Sequence, residues 1–208
     1  MFNASKARAS SDGILDNPVQ DFESEPKSAF GPCGNLRIPC GFYVADGDTL
    51  VGKPKRSKVV VQHGKVRDAL DGLVKNNPDY EYREDGGVIN IFPKKEKKHL
   101  EKGTDPLERV IDKVDISSVS SQDAAQMILQ ASGLPVGGRI QAGGRWHYAT
   151  VTLKLSNVTL REALNQLVRA DGMAVWVLEY NREHKRYSVD IFPWRKGPSL
   201  FGAKGKKD

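Results

Sequence analysis

Long apolar runs are missing from this chain of 208 residues. The stretch through residues 174–178 falls far short of the roughly 18–20 residues a membrane helix needs, so no membrane span is expected. No apolar leader opens at Met1, and an extracytoplasmic address would assume a signal peptide outside this sequence. Cysteine is almost absent: Cys33 and Cys40, with six residues between them, fit neither a CxxC redox pair nor a four-ligand zinc cage. In an oxidising compartment they are a candidate disulfide, and in a cytosolic chain two free thiols. The four histidines (His63, His99, His147, His184) stand alone, with no second ligand at metal spacing. Asp46-Gly47-Asp48 lacks the further ligands and closing Glu of a calcium loop. The glycine pairs at 137–138 and 143–144 lack the Gly-Lys-Ser/Thr ending of a phosphate loop, and no GxSxG elbow presents a nucleophile. No catalytic residue, metal or cofactor is expected, and the chain reads as not an enzyme.

What the chain does have is a globular composition and a basic balance. Hydrophobic residues make up 38%, and the 20 glycines bring the apolar share to about 48%, ordinary for a folded protein. The formal charge is +6, which raises nucleic acid as a partner. Its distribution weakens that reading. Residues 53–58 carry +4, residues 94–102 carry +3 and residues 195–208 carry +4, leaving −5 for everything else. The basic excess sits in linker-like stretches rather than in segments able to fold.

The sequence also repeats. Residues 65–74 (KVRDALDGLV) align with 159–168 (TLREALNQLV), and 88–93 (VINIFP) with 188–193 (SVDIFP). A weaker match lays SSQDAAQMILQASGL, from Ser120, over TLREALNQLVRADGM. Thr159-x-x-Glu162 is a capping-box pattern, with the Thr hydroxyl and the Glu carboxylate each satisfying a backbone N–H. Leu160, Ala163, Leu164, Leu167 and Val168 then fall on one helical stripe, while Arg161, Glu162, Asn165, Gln166 and Arg169 face water. Gly172 supplies the stop. In the earlier copy the stripe is Val66, Ala69, Leu70, Leu73 and Val74, with Gly72 on the exposed side, and Ser120 caps a third helix.

Alternation marks the strands. Ala149, Val151, Leu153 and Leu155 point one way and Thr150, Thr152 and Lys154 the other. Hairpins are expected over 80–92, turning at Glu84 to Gly87, and over 174–192. The order from residue 107 is βαββαββ, with a short strand near 139–141. The expected class is α+β: tandem small βαββαββ domains, each with two helices packed between small mixed sheets, the first partly degenerate. Residues 1–30 are expected to be a disordered N-terminal segment, 31–93 the first copy, 94–106 a Lys-rich linker, 107–193 the second domain and 194–208 a basic flexible tail.

The stretch from 110 to 192, with IDKVDISSVSSQDAAQMILQASGL followed by VTLKLSNVTLREALNQLVRADGMAVWV, resembles the short N-terminal (STN) domain shared by secretins and TonB-dependent signalling receptors. Residues 36–93 look like a divergent second copy. The resemblance implies two helices between a small mixed sheet and a two-stranded sheet, a periplasmic setting, and a role in docking other proteins. No secretin or β-barrel segment follows within this chain, so pore and receptor functions are not carried over.

The expected function is therefore a non-enzymatic protein-interaction module of the bacterial envelope, docking a partner protein through a sheet edge or an exposed aromatic face, with homo-oligomers also allowed. Arg145, Trp146, Tyr148 and Trp194 are the candidate contacts. By parity with Thr150, Trp146 and Tyr148 should lie off the core, where aromatic and Arg residues make binding hot spots. The alternative is a cytosolic nucleic-acid-binding adaptor contacting phosphates through Lys94, Lys95, Lys97, Lys98, Arg195, Lys196, Lys204, Lys206 and Lys207.

Overall fold

The computed structural model describes residues 13–24, 31–44, 58–94, 105–138, 147–172 and 174–193. In the first half, β1 (Pro18–Ser24), α1 (Gly31–Leu36), β2 (Cys40–Val44), β3 (Val59–Lys65), α2 (Val66–Asn76), β4 (Tyr80–Asp85) and β5 (Val88–Pro93) follow in order. In the second, a 3-10 turn (Pro106–Glu108) opens onto β6 (Val110–Ser120), α3 (Ser121–Ala131), β7 (Thr150–Thr159), α4 (Leu160–Asp171), β8 (Ala174–Asn181) and β9 (Arg186–Pro193). The class is α+β, as expected.

The strands of the two halves merge. One five-stranded sheet runs β4-β5-β2-β8-β9, and two antiparallel ribbons, β1-β3 and β6-β7, stand apart from it. β5, β2 and β8 are parallel, while β4 and β9 run antiparallel to their neighbours at the two ends. The join between halves is β2 on β8, with Gly41 opposite Trp176 and Phe42 opposite Val177.

Each half covers a different face of that sheet. Cys40, Phe42, Ile89, Ile91, Val175 and Val177 pack with α2 and the β1-β3 ribbon into one core. Tyr43, Val88, Phe92, Trp176, Leu178, Val189 and Ile191 pack with α3, α4 and the β6-β7 ribbon into the other. This explains the unbroken apolar run in β8: a central strand covered on both faces cannot alternate. At the join, Gly41 lies under the Trp176 indole, where an added Cβ would come within 1.9 Å of the ring. The Trp176 Nε1–H donates to Asn165 Oδ1 of α4 at 2.9 Å, tying strand to helix.

Local signals mostly hold. Thr159 Oγ1 accepts from the Glu162 N–H at 3.2 Å, Ser120 Oγ from the Asp123 N–H at 3.1 Å, and Gly172 ends α4 at φ +80°. The expected stripe on α4 is fully buried.

Several expectations are corrected. The Glu162 carboxylate does not reach back to the cap but accepts from Gln166 and Arg169, each at 3.0 Å. Arg161 and Asn165, expected to face water, are 3% and 0% exposed. The reason is tertiary: Asn165 meets Trp176, and Arg161 lies over the Phe92 ring at 5.0 Å and pairs with Glu108 at 2.7 Å. Gly72 is half-buried rather than exposed, because α2 presses onto Val59 there. Residues 13–24, expected within a disordered segment, form a 3-10 turn and β1, with Val19 and Phe22 buried. Asp105 and Pro106, expected in the linker, cap and open the 3-10 turn. The hairpin of β4 and β5 turns on Gly86 and Gly87 alone, at φ +57° and +79°, a pair of values that favours glycine at both positions. The expected strand near 139–141 lies outside the described residues; a single bridge from Val136 to Tyr187 precedes it.

Candidate interaction site

The two ends of the five-stranded sheet differ in what their outer backbone groups meet. At the β9 end four of them have partners. The Tyr187 N–H donates to the Pro135 carbonyl at 2.7 Å, and its carbonyl accepts from Gly137 at 2.6 Å. Farther along, Gln122 Oε1 accepts from the Ile191 N–H at 2.8 Å while its Nε2 donates to the Val189 carbonyl at 3.1 Å. A parallel strand would bond those same two groups flanking Asp190, so the amide of Gln122 stands in for a peptide unit. Gln126 adds a second bond to the Val189 carbonyl at 2.7 Å. A side-chain cover of this kind protects an edge from strand addition.

The β4 end is open. The two-residue turn makes Asp85 and Val88 a hydrogen-bonded pair, and alternation assigns Arg83 and Glu81 to β5 as well. Tyr82 and Glu84 then turn their N–H and C=O groups outward, and among the described residues no strand or side chain bonds them there. Their side chains are held on the first half's face of the sheet. The Tyr82 hydroxyl donates to Asp71 Oδ1 at 2.7 Å, and burial, then this bond, push its pKa up to about 12. The Glu84 carboxylate accepts from the Ile14 N–H at 3.1 Å, an approach that Gly13 permits. On the other face Glu81 and Arg83 are exposed, and Arg83 pairs with Asp85 at 2.9 Å.

The sequence-predicted residues are distributed differently. Cys33 and Cys40 form a disulfide, both sulfurs buried in the first core, with Cα atoms 6.2 Å apart. It fastens α1 to the start of β2. Tyr148 does not lie off the core: it is half-buried against the second core. β7 begins only at Thr150, after Ala149 has bonded Ser121 and Asp171, so strand parity does not extend to Tyr148. Lys94 is exposed, its N–H donating to the Asp79 carbonyl at 2.8 Å. Arg145, Trp146, Trp194, Lys95, Lys97, Lys98, Arg195, Lys196, Lys204, Lys206 and Lys207 lie outside the described residues.

Sequence reasoning missed Gln122 and Gln126. Their signal was present: two glutamines four apart on a helix, beside the buried Ala124 and Ala125. Among the described residues no group of His, Cys, Asp and Glu side chains could hold a metal ion, and no helix is long and apolar enough to cross a membrane. No protein-family model, curated protein or solved structure matches the chain.

Proposed function

We propose that the chain is a non-enzymatic protein-interaction module of the bacterial envelope, built from two STN-like halves, that takes another polypeptide strand on the open edge of β4. The observation that carries this reading is the contrast between the edges: β9 is covered by Gln122 and Gln126, whereas the peptide groups of Tyr82 and Glu84 that turn outward meet no partner among the described residues. The molecule already uses strand addition internally, where β8 of one half extends the edge at β2 of the other. Main-chain bonding of this kind is a common mode of protein recognition. The Cys33–Cys40 disulfide supports an oxidising, extracytoplasmic compartment.

Tyr82→Pro tests the edge. Proline removes the outward N–H without removing any bond to β5. A partner bound through β4 should be lost with this variant and kept with a control substitution on the β6-β7 ribbon. Binding that survives Tyr82→Pro contradicts the reading. Thiol alkylation of protein from native cells tests the compartment: Cys33 and Cys40 should label only after reduction, and labelling without it argues for a reducing one.

A further inference from the structure

We propose that the occupant of the β4 edge is a second copy of this chain, added antiparallel about a two-fold axis through Tyr82. The inference rests on reading β4 as the interaction edge and names the strand that fills it. In an antiparallel ladder, residues that turn their peptide groups outward face one another as hydrogen-bonded pairs. A two-fold axis at Tyr82 therefore lets each Tyr82 N–H donate to the partner's Tyr82 carbonyl. An isologous contact of this type closes at two copies and leaves no further open end at β4.

Charge selects the register. With the axis at Tyr82, Glu81 lies opposite the partner's Arg83, Arg83 opposite the partner's Glu81, and Tyr80 opposite the partner's Glu84. Every neighbouring register sets like charges against each other. An axis at Glu81, Arg83 or Glu84 opposes that residue to its own copy, and an axis at Tyr80 opposes Glu81 to Asp79. In the Tyr82 register the like-sign contact, made twice by symmetry, sets Asp79, just before β4, opposite the partner's Asp85, its last residue, and Asp85 is already paired with Arg83 of its own chain. Glu81 and Arg83 are both exposed, on the sheet face that carries α4, where Arg83 and Arg161 both lie over the Phe92 ring; their exposure leaves them available to make these pairs. The Tyr82 ring is held by Asp71 on the opposite face, away from them. Cross-strand pairs of opposite charge favour association and like pairs oppose it, each by a fraction of a kilocalorie to about 1 kcal/mol.

The test is sedimentation equilibrium of the full chain over a concentration series. The wild type should show reversible dimers. Arg83→Glu sets carboxylates against carboxylates twice and should weaken the dimer by about tenfold or more. The double variant Glu81→Arg/Arg83→Glu reverses both pairs and should bring the dimer back. Tyr82→Pro should abolish it without changing charge, and thermal unfolding of each variant separates lost pairing from lost fold. A wild type that remains monomeric at every concentration overturns the proposal, as does a dimer indifferent to Arg83→Glu or one that the double variant does not restore. A monomeric chain whose Tyr82 and Glu84 amides become protected only on adding envelope extract overturns self-pairing while leaving strand docking at β4 in place.

Discussion

The two outer strands of the central sheet, β4 and β9, end the same sheet in opposite ways. β9 meets α3, whose Gln122 and Gln126 bond its Val189 carbonyl and Ile191 N–H, and no described strand or side chain bonds the outward peptide groups of Tyr82 and Glu84 in β4. Between them lies a third lateral junction, β2 on β8, where an edge of the first half is filled by a strand of the second. The comparison shows one device used three ways: an edge paired inside the molecule, an edge covered by side chains, and an edge left available. Of the three, only the last leaves peptide groups without a partner among the described residues, which is why the proposed docking is placed there.

Breaking the internal junction should have the largest effect. Trp176 is fully buried and spans Gly41, Asn165 and the second core, so Trp176→Ala should cost about 3–5 kcal/mol in urea unfolding. Because the two cores share the sheet, both halves should unfold together. Separate transitions would show that the junction is looser than the paired strands imply.

Removing the cover at β9 should come next. Gln122→Leu leaves the Ile191 N–H without its acceptor, and losing a partner for a buried group costs about 1–3 kcal/mol. The variant should also lose protection of the Ile191 amide in hydrogen exchange and become more prone to associate. If it neither destabilises nor associates, the glutamine is not what closes that edge.

Comparable in origin but smaller in extent is the disulfide beneath the β2 edge. The short loop it closes is worth about 2–3 kcal/mol in the loop-entropy picture. Paired Cys33→Ala/Cys40→Ala substitution should lower stability by up to that amount and leave any β4-dependent association intact. Association lost along with the disulfide would tie the open edge to the first core rather than to β4 itself.

The smallest effect concerns Glu179 in β8, whose pKa is raised by burial and then by Asp190. A carboxyl with a raised folded-state pKa contributes its stability fully below the unfolded value and loses it as pH rises through the folded one. Glu179→Gln, neutral at every pH, should therefore raise the melting temperature at pH 7, and the gain should vanish below about pH 4. A gain that is constant with pH would assign the effect to packing instead of ionisation.

Much of each half was readable from its own residues. Thr159, Ser120 and Gly172 marked helix ends, and the apolar stripe on α4 marked its buried side. What stayed hidden depends on partners distant in sequence. Arg161 and Asn165 look solvent-facing until Phe92 and Trp176 arrive from strands elsewhere. β1 escaped notice because Asp21, at φ +51°, interrupts the ladder without shifting its register, and Val19 and Phe22 on either side are both buried three apart, off a period of two. The hairpin containing β4 was legible, yet its standing as an open edge was not, since that depends on the lateral order of all five strands. The cover over β9 hid in two glutamines that look like ordinary helix surface until the strand beside them is known.

Residue-resolved amide exchange over a dilution series tests the contrast between the edges most directly. The account predicts that the Ile191 and Tyr187 amides exchange slowly at every concentration, while those of Tyr82 and Glu84 exchange fast when dilute and slow down as the chain is concentrated. Tyr82 and Glu84 amides as protected as Ile191 in dilute solution would contradict it.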